Sequence, residues 1–318
     1  MDKPLRIVFM GTPGFAAGIL QSLVERDYHI AGVVSAPNKP AGRGLQLRCS
    51  EVAEYARSHN IPLVQPVLLK DLSLISQLQR WKADIFVVVA FRMLPEEVWK
   101  LPRLGTFNLH ASLLPQYRGA APINWALIRG ETTTGVTTFL IDHQIDTGYI
   151  LFQEPLAISP NETAGSLHDR LMAVGANLVC RTIDALASGT AHPVPQPQIT
   201  PLYGAPKLNK EICYIRWDQE PEQICNLIRG LSPYPAAYSL LQFKESVSVK
   251  IFQARPFHKS HTHPYGTILN DPKSDLYVAC KDGYVSLLEL QAAGKKRMAV
   301  KDFLLGFRDI TQARFVYL

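Results

Sequence analysis

Strand-like and helix-like patterns alternate through the first half of the chain, and this alternation constrains the fold more than any other feature. Strand patterns lie at 5–10, 30–35 and 84–90, and helical patterns lie at 15–26, 51–58 and 72–81. Further strand patterns at 105–110, 135–142 and 149–158 precede a long amphipathic helix at 162–188. The pattern at 84–90 is almost continuously apolar, which is typical of a strand covered on both faces. The alternation predicts an α/β domain with a doubly wound, mostly parallel sheet.

A proline-rich segment ends this pattern. Five prolines occur among the 17 residues from Thr190 to Pro206, a density that neither a helix nor a central strand tolerates. Beyond it, one helical pattern lies at 222–230. Short strand patterns separated by turn residues follow at 248–253, 276–280 and 284–289. We therefore predict a first domain at 1–189, a linker at 190–206 and a second, mostly β domain of small-barrel size at 207–318.

Charge is distributed unevenly between these parts. The 318 residues carry 33 Lys and Arg against 27 Asp and Glu, a formal charge of +6. Residues 1–206 contribute 17 basic and 16 acidic side chains, whereas residues 207–318 contribute 16 and 11. A basic second domain suits a polyanionic partner such as a nucleic acid, although charge alone does not establish one.

Composition disfavours several other classes of protein. The longest apolar run, Ile85 to Phe91, has seven residues, far below the roughly 20 that a membrane-spanning helix needs. The N-terminus lacks the pattern of a signal or transit peptide, so we expect a cytoplasmic protein that does not contact membranes. Five widely spaced cysteines without a C-x-x-C pair, and a His261–His263 pair without a third ligand, predict neither disulfides nor a metal site.

The turn after the first strand pattern does not match a nucleotide-binding loop. In a G-x-G-x-x-G count from Gly11, Pro13 occupies the second glycine position, where the backbone would have to approach a pyrophosphate. The second strand pattern ends without the acidic residue that binds a ribose, and the sequence contains no P-loop motif. Gly11 and Gly14 therefore predict a tight strand-to-helix turn, and an NAD-linked dehydrogenase is disfavoured.

The stretch from 105 to 148 carries the side chains with catalytic potential. Asn108 and His110 are two apart in a predicted strand, so both face one side near its carboxyl end, where open α/β sheets bind ligands. An amide donor and an imidazole can act together on an acyl carbonyl, and Asp146 in a later loop would orient the imidazole. The stretch has no cysteine, and Ser112 lies in no G-x-S-x-G motif, so acyl transfer without a covalent nucleophile is predicted. His143 competes with His110 as the partner of Asp146, and each residue taken singly also fits an ordinary strand-end polar group.

These motifs resemble those of the methionyl-tRNA formyltransferase family along nearly the whole chain. The matching segments are Gly11-Thr12-Pro13-x-Phe15, 39–44, Asn108-x-His110-x-Ser112-Leu113-Leu114-Pro115, 118–122, 134–137, Asp146-Thr147-Gly148 and 228–235. The central block is specific to folate-dependent formyltransferases, and the first two segments and the last one point to the tRNA enzymes among them. The resemblance implies a formyltransferase Rossmann-like domain followed by an OB-like barrel.

The resemblance also implies a reaction and its donor site. Asn108, His110 and Asp146 match the family's catalytic residues. The implied reaction is direct transfer of the formyl group of 10-formyltetrahydrofolate to the α-amino group of initiator methionyl-tRNA. Two segments would contact the folate, and their residues are Ser112, Leu113, Leu114 and Pro115, and Phe91, Arg92, Met93 and Leu94.

Contacts with tRNA are implied in two places. The loop 38–48 resembles the family's insertion toward the acceptor arm, with Arg43 and Lys39 as candidate contacts. Leu45-Gln46-Leu47 stand where family members often carry lysines, so this loop would contribute less electrostatic affinity. In the barrel, Lys207, Lys210 and the basic run 295–297 are candidate phosphate contacts. We expect the protein to act as a monomer.

Two alternatives stay open on the sequence. Another folate-dependent formyltransferase would act on a small amine, such as glycinamide ribonucleotide or an amino-sugar nucleotide. The second domain disfavours the first of these acceptors, and the Arg43 loop disfavours both. A non-catalytic RNA-binding protein would use the α/β domain only as a scaffold, and changing Asn108 or His110 would then leave function intact.

Overall fold

The structure, a computed structural model, describes residues 4–41, 46–243, 245–271, 275–307 and 310–316. The chain forms two compact units, and each unit gathers several stretches of sequence. The first unit comprises Met1–Gly119, Thr133–Ala157 and His168–Gly204, and the second comprises Ala120–Thr132, Ile158–Leu167 and Ala205–Leu318. The linear boundaries at 189 and 207 stay a prediction.

The first unit is an α/β sandwich. Its strands are β1 (Ile7–Gly11), β2 (Ile30–Val34), β3 (Lys39–Ala41), β4 (Gln46–Arg48), β5 (Leu63–Val64), β6 (Ile85–Val89), β7 (Thr106–His110), β8 (Arg118–Gly119), β9 (Thr133–Leu140) and β10 (Ile150–Ala157). Its helices are α1 (Gly14–Glu25), α2 (Glu51–Ser58), α3 (Leu72–Trp81) and α4 (Glu96–Trp99), and most of α6 (Ala164–Ala187) also belongs to it. The main sheet of the described residues has the order β10-β9-β7-β6-β1-β2-β5.

Strand direction in this sheet follows the predicted class. β1, β2, β5, β6 and β7 are parallel to one another, whereas β9 runs antiparallel to β7 and β10 antiparallel to β9. The doubly wound, mostly parallel sheet is thereby confirmed. Apolar pattern alone does not encode strand direction, and the antiparallel edge became visible only in the paired register.

Both faces of the sheet are covered. On one face, α3 buries Leu74, Leu78 and Trp81 against Val8 of β1 and Phe86 of β6. On the other face, Gly175 of α6 lies so close to Leu109 of β7 that an added Cβ would come within 2.8 Å of its Cδ2 atom. Because side chains alternate along a strand, Asn108 and His110 point away from α6.

Local sequence explains where these helices begin. The side chain of Ser50 caps α2 by accepting a hydrogen bond from the amide of Ala53, and that of Asp71 caps α3 through the amide of Ser73. The predicted bounds of α2 and α3 are therefore confirmed. At the first turn, a Cβ on Gly11 would lie 2.6 Å from the Cβ of Ala16, so this glycine is required by close packing of α1 against the end of β1.

The second unit is a small antiparallel barrel with helices. Its elements are α5 (Pro122–Ile128), the second residue of β11 (Gly204–Ala205), α7 (Pro221–Leu231), β12 (Ala237–Gln242), β13 (Ser246–Phe257), β14 (Ile268–Asp271), β15 (Asp275–Cys280), β16 (Gly283–Ala292), β17 (Met298–Ala299), α8 (Val300–Leu305), a 3₁₀ turn (Ile310–Gln312) and β18 (Arg314–Val316). Its strands pair in the order β14-β15-β16-β13-β12-β18. An antiparallel bridge between Thr267 and Arg314 joins the two ends, so the sheet is nearly closed, as an OB-like barrel requires.

Two earlier stretches of sequence complete this unit because they pack on α7. The side-chain amide of Asn124 in α5 donates to the carbonyl of Gly230 at 2.8 Å, and a Cβ on Gly230 would lie 2.7 Å from Ile128. The amide of Gly165 likewise donates to the carbonyl of Ser232 at 3.0 Å. The family-like segment 228–235 is therefore a packing surface for these stretches.

Two cysteines of the second unit are buried in its core. Burial raises the pKa of Cys225 and of Cys280 to about 12, so both thiols stay protonated and unreactive near neutral pH.

Within the described ranges, every helix is too short or too polar to cross a bilayer.

The hydroxyl of Thr137 in β9 holds the loop that follows β7. It donates to the carbonyl of Ser112 at 2.6 Å and accepts from the amide of Leu114 at 3.1 Å and the Gln153 side chain at 2.9 Å. Gln153 in β10 also donates to the carbonyl of Leu114 at 2.9 Å. Thr137 is fully buried, so one hydroxyl satisfies three polar groups away from water.

Replacing this hydroxyl with a methyl group should destabilise the protein. Thr137→Val keeps the side-chain shape but removes the partner of two buried backbone groups and of the half-buried Gln153 side chain. We expect a loss of about 2–3 kcal/mol in the free energy of unfolding. Urea titration followed by circular dichroism measures it. Thr133→Val, at the exposed start of the same strand, is the control and should change stability by less than about 0.5 kcal/mol. Equal effects of the two substitutions would contradict the assigned role of Thr137.

Candidate active site

Asn108 and His110 lie on the same face of β7, at the edge where the parallel strands end. Asn108 is half-buried, and among the described residues its side-chain amide has no hydrogen-bond partner. The amide is therefore available to a bound molecule. His110 is buried and pairs in register with Thr137 of β9, which places the histidine beside the Thr137 network.

Both ring nitrogens of His110 face protein groups. Its Nε2 atom lies 2.8 Å from the carbonyl oxygen of Tyr117, and its Nδ1 atom lies 3.7 Å from Oδ2 of Asp146. A carbonyl oxygen can only accept, so Nε2 carries a proton and Nδ1 faces the carboxylate. The His110 and Asp146 side chains are only 8% and 11% exposed, so water screens the electrostatic interaction between them poorly.

The carboxylate of Asp146 has a second partner in the backbone. Its Oδ2 atom accepts a hydrogen bond from the amide of Gly119 at 2.9 Å. A backbone donor to an ionised carboxylate is a strong, directional contact. It brings the loop after β9 together with the segment after β7, and the sequence-predicted triad of Asn108, His110 and Asp146 is assembled in one unit.

The Asp146 loop is held in an unusual conformation. Asp146 has a φ of 56°, in the left-handed region, which costs a non-glycine residue about 1–2 kcal/mol. The carboxylate of Asp142 accepts a hydrogen bond from the backbone N–H of Gln144 at 2.9 Å and another from the hydroxyl of Thr147 at 2.8 Å. A Cβ on Gly148 would lie 1.7 Å from the carbonyl oxygen of Leu140, so only glycine fits there. These contacts explain the Asp-Thr-Gly motif physically.

The proline-rich segment also contacts this site. The side-chain amide of Gln196 donates to the carbonyls of Asp146 and Gly148, both at 2.9 Å. Its Oε1 atom accepts from the Arg118 guanidinium at 2.6 and 3.1 Å. The amide of Tyr117 donates to the carbonyl of Tyr203 at 2.7 Å. A segment predicted from its prolines as a connector is thus bonded to both loops that surround His110.

Residues 112–115, which follow β7, form a largely buried turn. Ser112 is fully buried and its hydroxyl donates to the carbonyl of Gln116 at 2.6 Å. Leu114 and Pro115 are also buried, and Leu113 is half-buried against Gly135. The Ser112 side chain is therefore occupied within the turn, and the half-buried Leu113 is the member with most surface left for a ligand.

The segment after β6 presents a more open surface. Phe91 and Arg92 are half-buried, Leu94 is buried, and the Met93 side chain is 63% exposed. The guanidinium of Arg92 donates to the carbonyls of Pro66 and Val67 at 2.7 and 2.8 Å. Burial lowers the pKa of Arg92, and its Nε atom is buried without a partner among the described residues. Arg92 therefore joins the loops after β5 and β6 at the ligand-binding edge of the sheet.

The candidate tRNA contacts fall in the loop 38–48 and in the second unit. Arg43 lies outside the described residues, whereas the backbone of Lys39 is described in β3, paired with Arg48 of β4. Lys207 and Lys210 are exposed in the second unit. In the run 295–297, Arg297 is paired with Glu289 at 2.6 Å and stacked on Phe252. Lys295 and Lys296 are the exposed members of that run with charge free of this ion pair.

The other candidate histidines lie elsewhere. His143 is 67% exposed and faces Glu96 and Trp99, so it is not the partner of Asp146. His261 lies 2.8 Å from the carbonyl oxygens of both Cys280 and Gly283, which gives its ring a structural role in the second unit. Across the described ranges, no three His, Cys, Asp or Glu side chains are grouped as they would be around a metal ion.

Sequence reasoning missed the residues that support the site. Thr137 lies within the family-like segment 134–137. Its role in holding the turn after β7 depends on hydrogen bonds to Ser112 and Leu114, which a local pattern does not reveal. Gln153 and Gln196 had no signal at all, because a single glutamine carries no pattern. A glutamine within a proline-rich stretch becomes informative only when its partners are known.

Comparison with known proteins places this chain among formyl-transferring enzymes. The Formyl transferase family profile matches residues 5–183, and the profile of the Formyl transferase C-terminal domain matches residues 207–308. Methionyl-tRNA formyltransferase of Bacteroides thetaiotaomicron is 50% identical over 311 residues, covering 96% of this chain and 97% of its own length. The enzyme of the same name from Flavobacterium johnsoniae is 49% identical and covers 99% of each chain.

Two solved structures with the same fold are more distant in sequence than these relatives. An N-formyltransferase from Helicobacter canadensis, in complex with folinic acid and dTDP-3-aminofucose, has a TM-score of 0.64 at 20% identity and covers 89% of this chain and 98% of its own. HypX from Aquifex aeolicus, in complex with tetrahydrofolic acid, has a TM-score of 0.64 at 18% identity and covers 96% of this chain and 48% of its own. At these identities the likeness concerns the fold alone. The near-complete matches at about half identity, together with both family profiles, show that this chain belongs to the methionyl-tRNA formyltransferase family.

Proposed function

We propose that this chain transfers the formyl group of 10-formyltetrahydrofolate to the α-amino group of initiator methionyl-tRNA, giving N-formylmethionyl-tRNA for translation initiation. Its membership of the methionyl-tRNA formyltransferase family supports this function. The structural observation that carries the proposal is the buried His110–Asp146 pair beside the available Asn108 amide. An amide donor next to a proton-handling pair is what transfer between two nitrogen atoms requires.

Asn108 would stabilise charge on the formyl oxygen. The donor supplies a formyl carbon that is open to attack by an uncharged amine. As that amine adds, negative charge develops on the formyl oxygen, and a preorganised N–H donor lowers the barrier. The half-buried Asn108 amide has no competing partner among the described residues, so it need not break a hydrogen bond before it acts.

His110 and Asp146 would handle the proton. The Tyr117 carbonyl holds one proton on Nε2, and a second proton on Nδ1 would lie between the ring and Oδ2 of Asp146. The pair can therefore hold the proton that the attacking amine releases. That proton would then pass to the folate nitrogen as the bond between this nitrogen and the formyl carbon breaks. The sequence also predicts that His110 donates to the formyl oxygen, and this requires Nε2 to exchange the Tyr117 carbonyl for that oxygen.

Two segments would bind the folate donor. Half-buried Phe91 and exposed Met93 offer aromatic and thioether surface for a flat ring, and Leu113 offers aliphatic surface on the turn after β7. Arg92, Leu94, Ser112, Leu114 and Pro115 would act mainly by shaping these two loops, since their side chains are buried or engaged. No metal is part of this proposal.

The charge distribution supports a separate tRNA-binding region. We assign catalysis to residues 1–189, a linker to 190–206 and tRNA binding to 207–318, which carry the surplus of 16 basic over 11 acidic residues. Lys207 and Lys210 are exposed and would contact phosphates, while Arg43 and Lys39 would approach the acceptor arm. The enzyme would act as a monomer in the cytoplasm.

Purified protein should formylate charged initiator tRNA with 10-formyltetrahydrofolate as donor. Asn108→Ala should lower kcat by about 10²–10³, because one donor to the formyl oxygen is lost. His110→Ala and Asp146→Asn should lower kcat by about 10²–10⁴, because the proton-handling pair is broken. Acid gel electrophoresis of the tRNA product measures the rate.

His143→Ala is the matched histidine control, since this exposed residue faces Glu96 and should leave kcat within about twofold of the parent. A parallel assay offers an amino-sugar nucleotide as acceptor. Full activity of Asn108→Ala or His110→Ala would remove that residue from the mechanism. Preferred formylation of the sugar nucleotide would overturn the proposed acceptor.

The two lysines after the linker should contribute through phosphate contacts. Lys207→Ala and Lys210→Ala should each weaken tRNA binding and reduce the slope of log Kd against log salt by about one, because fewer counterions are released. Filter binding across a salt series measures the slope. Lys281→Ala is the control, because its ammonium group lies 3.4 Å from Glu220 and its charge is already balanced. An unchanged slope for both Lys207→Ala and Lys210→Ala would exclude these residues from the tRNA interface.

A further inference from the structure

The proline-rich segment 190–206 is attached to the first unit at several points before it reaches the second domain. Val194 forms an antiparallel bridge with Ile150 at the start of β10, with reciprocal hydrogen bonds of 2.8 and 2.9 Å. The side chain of Gln116 donates to the carbonyl of Pro201 at 2.8 Å and accepts from the amide of Tyr203 at 2.7 Å. The segment therefore follows a defined path across the loops of the candidate active site.

Within this path, the side chain of Gln196 makes four hydrogen bonds that join two loops, and we call this set of bonds the Gln196 clamp. Its amide nitrogen donates to two carbonyls of the Asp146 loop, those of Asp146 and Gly148, each at 2.9 Å. Its amide oxygen accepts from Nη2 and Nε of Arg118 at 2.6 and 3.1 Å. Every polar atom of this side chain is used, and its partners lie 48–78 residues away in sequence.

These partners flank the hydrogen bond between the Gly119 amide and the Asp146 carboxylate. Arg118 immediately precedes Gly119, whose amide donates to Oδ2 of Asp146 at 2.9 Å. Gln196 thus holds both segments whose meeting sets the carboxylate position, one through a guanidinium and the other through backbone carbonyls. Asp146 also has a left-handed backbone, with a φ of 56°, which relaxes toward common conformations unless neighbouring contacts hold it.

We propose that Gln196 is a positioning residue for Asp146, and that the proline-rich segment is therefore part of the catalytic apparatus as well as a connector. This inference rests on the proposed formyl transfer, in which Asp146 acts with His110. Gln196 does not act on the reacting atoms. It determines how often the carboxylate lies where Nδ1 of His110 can use it, 3.7 Å away in the structure.

The proposal predicts a loss in kcat with little change in substrate binding. Gln196→Leu removes all four hydrogen bonds, and a displacement of the carboxylate by about 1 Å would lower kcat by about 10- to 100-fold. KM for the folate donor and for tRNA should change by less than about threefold, because no substrate contact is removed. Gln198→Leu, the same substitution two residues on at an exposed side chain, should match the parent enzyme.

Gln196→Glu separates the two halves of the clamp. A carboxylate still accepts from Arg118, but it cannot donate to the carbonyls of Asp146 and Gly148. We expect kcat to fall as in Gln196→Leu. Full kcat in Gln196→Glu would show that the Arg118 contact alone matters and would overturn the proposed hold on the Asp146 loop.

A double substitution tests whether Gln196 acts through Asp146. In the Asp146→Asn background, Gln196→Leu should lower the residual kcat by less than about twofold, because the group it positions is already disabled. A further loss as large as that in the parent would overturn the positioning role, since a merely structural defect lowers kcat in either background. A rise in KM for tRNA with unchanged kcat would also overturn it.

Hydrogen exchange gives a measurement that is independent of turnover. Backbone amides at 142–148 should exchange faster in Gln196→Leu than in the parent or Gln198→Leu, because two carbonyl anchors of that loop are gone. Unchanged exchange would contradict the clamp even if activity fell. Parent protein without formylation activity, by contrast, would refute the proposed function, and exchange at 142–148 would still decide whether Gln196 holds the loop.

Discussion

The parallel register of β1, β6 and β7 is the constraint on which the first unit depends. Parallel strands present their carboxyl ends at one edge, so the segments that follow them are neighbours although they are far apart in sequence. The turn at Gly11, the Phe91–Leu94 segment and the His110–Pro115 turn therefore lie along one edge. The antiparallel strand β9 then brings Thr137 beside His110 and carries the chain toward the Asp146 loop.

Burial of polar groups at this edge requires that each finds a partner. A charged or polar group without one would cost more than most single packing contacts contribute. Tyr117, Gly119 and Thr137 meet that requirement for His110, Asp146 and the turn after β7. Among the described residues, the Asn108 amide and the buried Nε atom of Arg92 lack such a partner. A free amide donor at this edge is what a transferase needs at the moment charge develops on its substrate.

Much of the fold, and the placement of the candidate catalytic residues, could be predicted from the sequence. Periodicity located α2 and α3 with their observed bounds, because Ser50 and Asp71 are local caps beside strong apolar patterns. Spacing placed Asn108 and His110 on one face, because strand alternation is a local property. The direction of β9 and β10, the packing of α5 on α7 and the contacts of Gln196 could not be predicted, because each depends on partners chosen by the path of the whole chain.

The sequence by itself determined the fold class, the family and the choice of candidate catalytic residues, because apolar periodicity and motif spacing are written in neighbouring positions. Only the tertiary structure decided what supports those residues. It showed that the hydroxyl of Ser112 is used within its own turn, that Arg297 is paired with Glu289, and that a glutamine among prolines is bonded to the Asp146 loop 48–50 residues before it. Hydrogen-bond partners at such separations are selected by the three-dimensional course of the backbone, and no local pattern encodes that course.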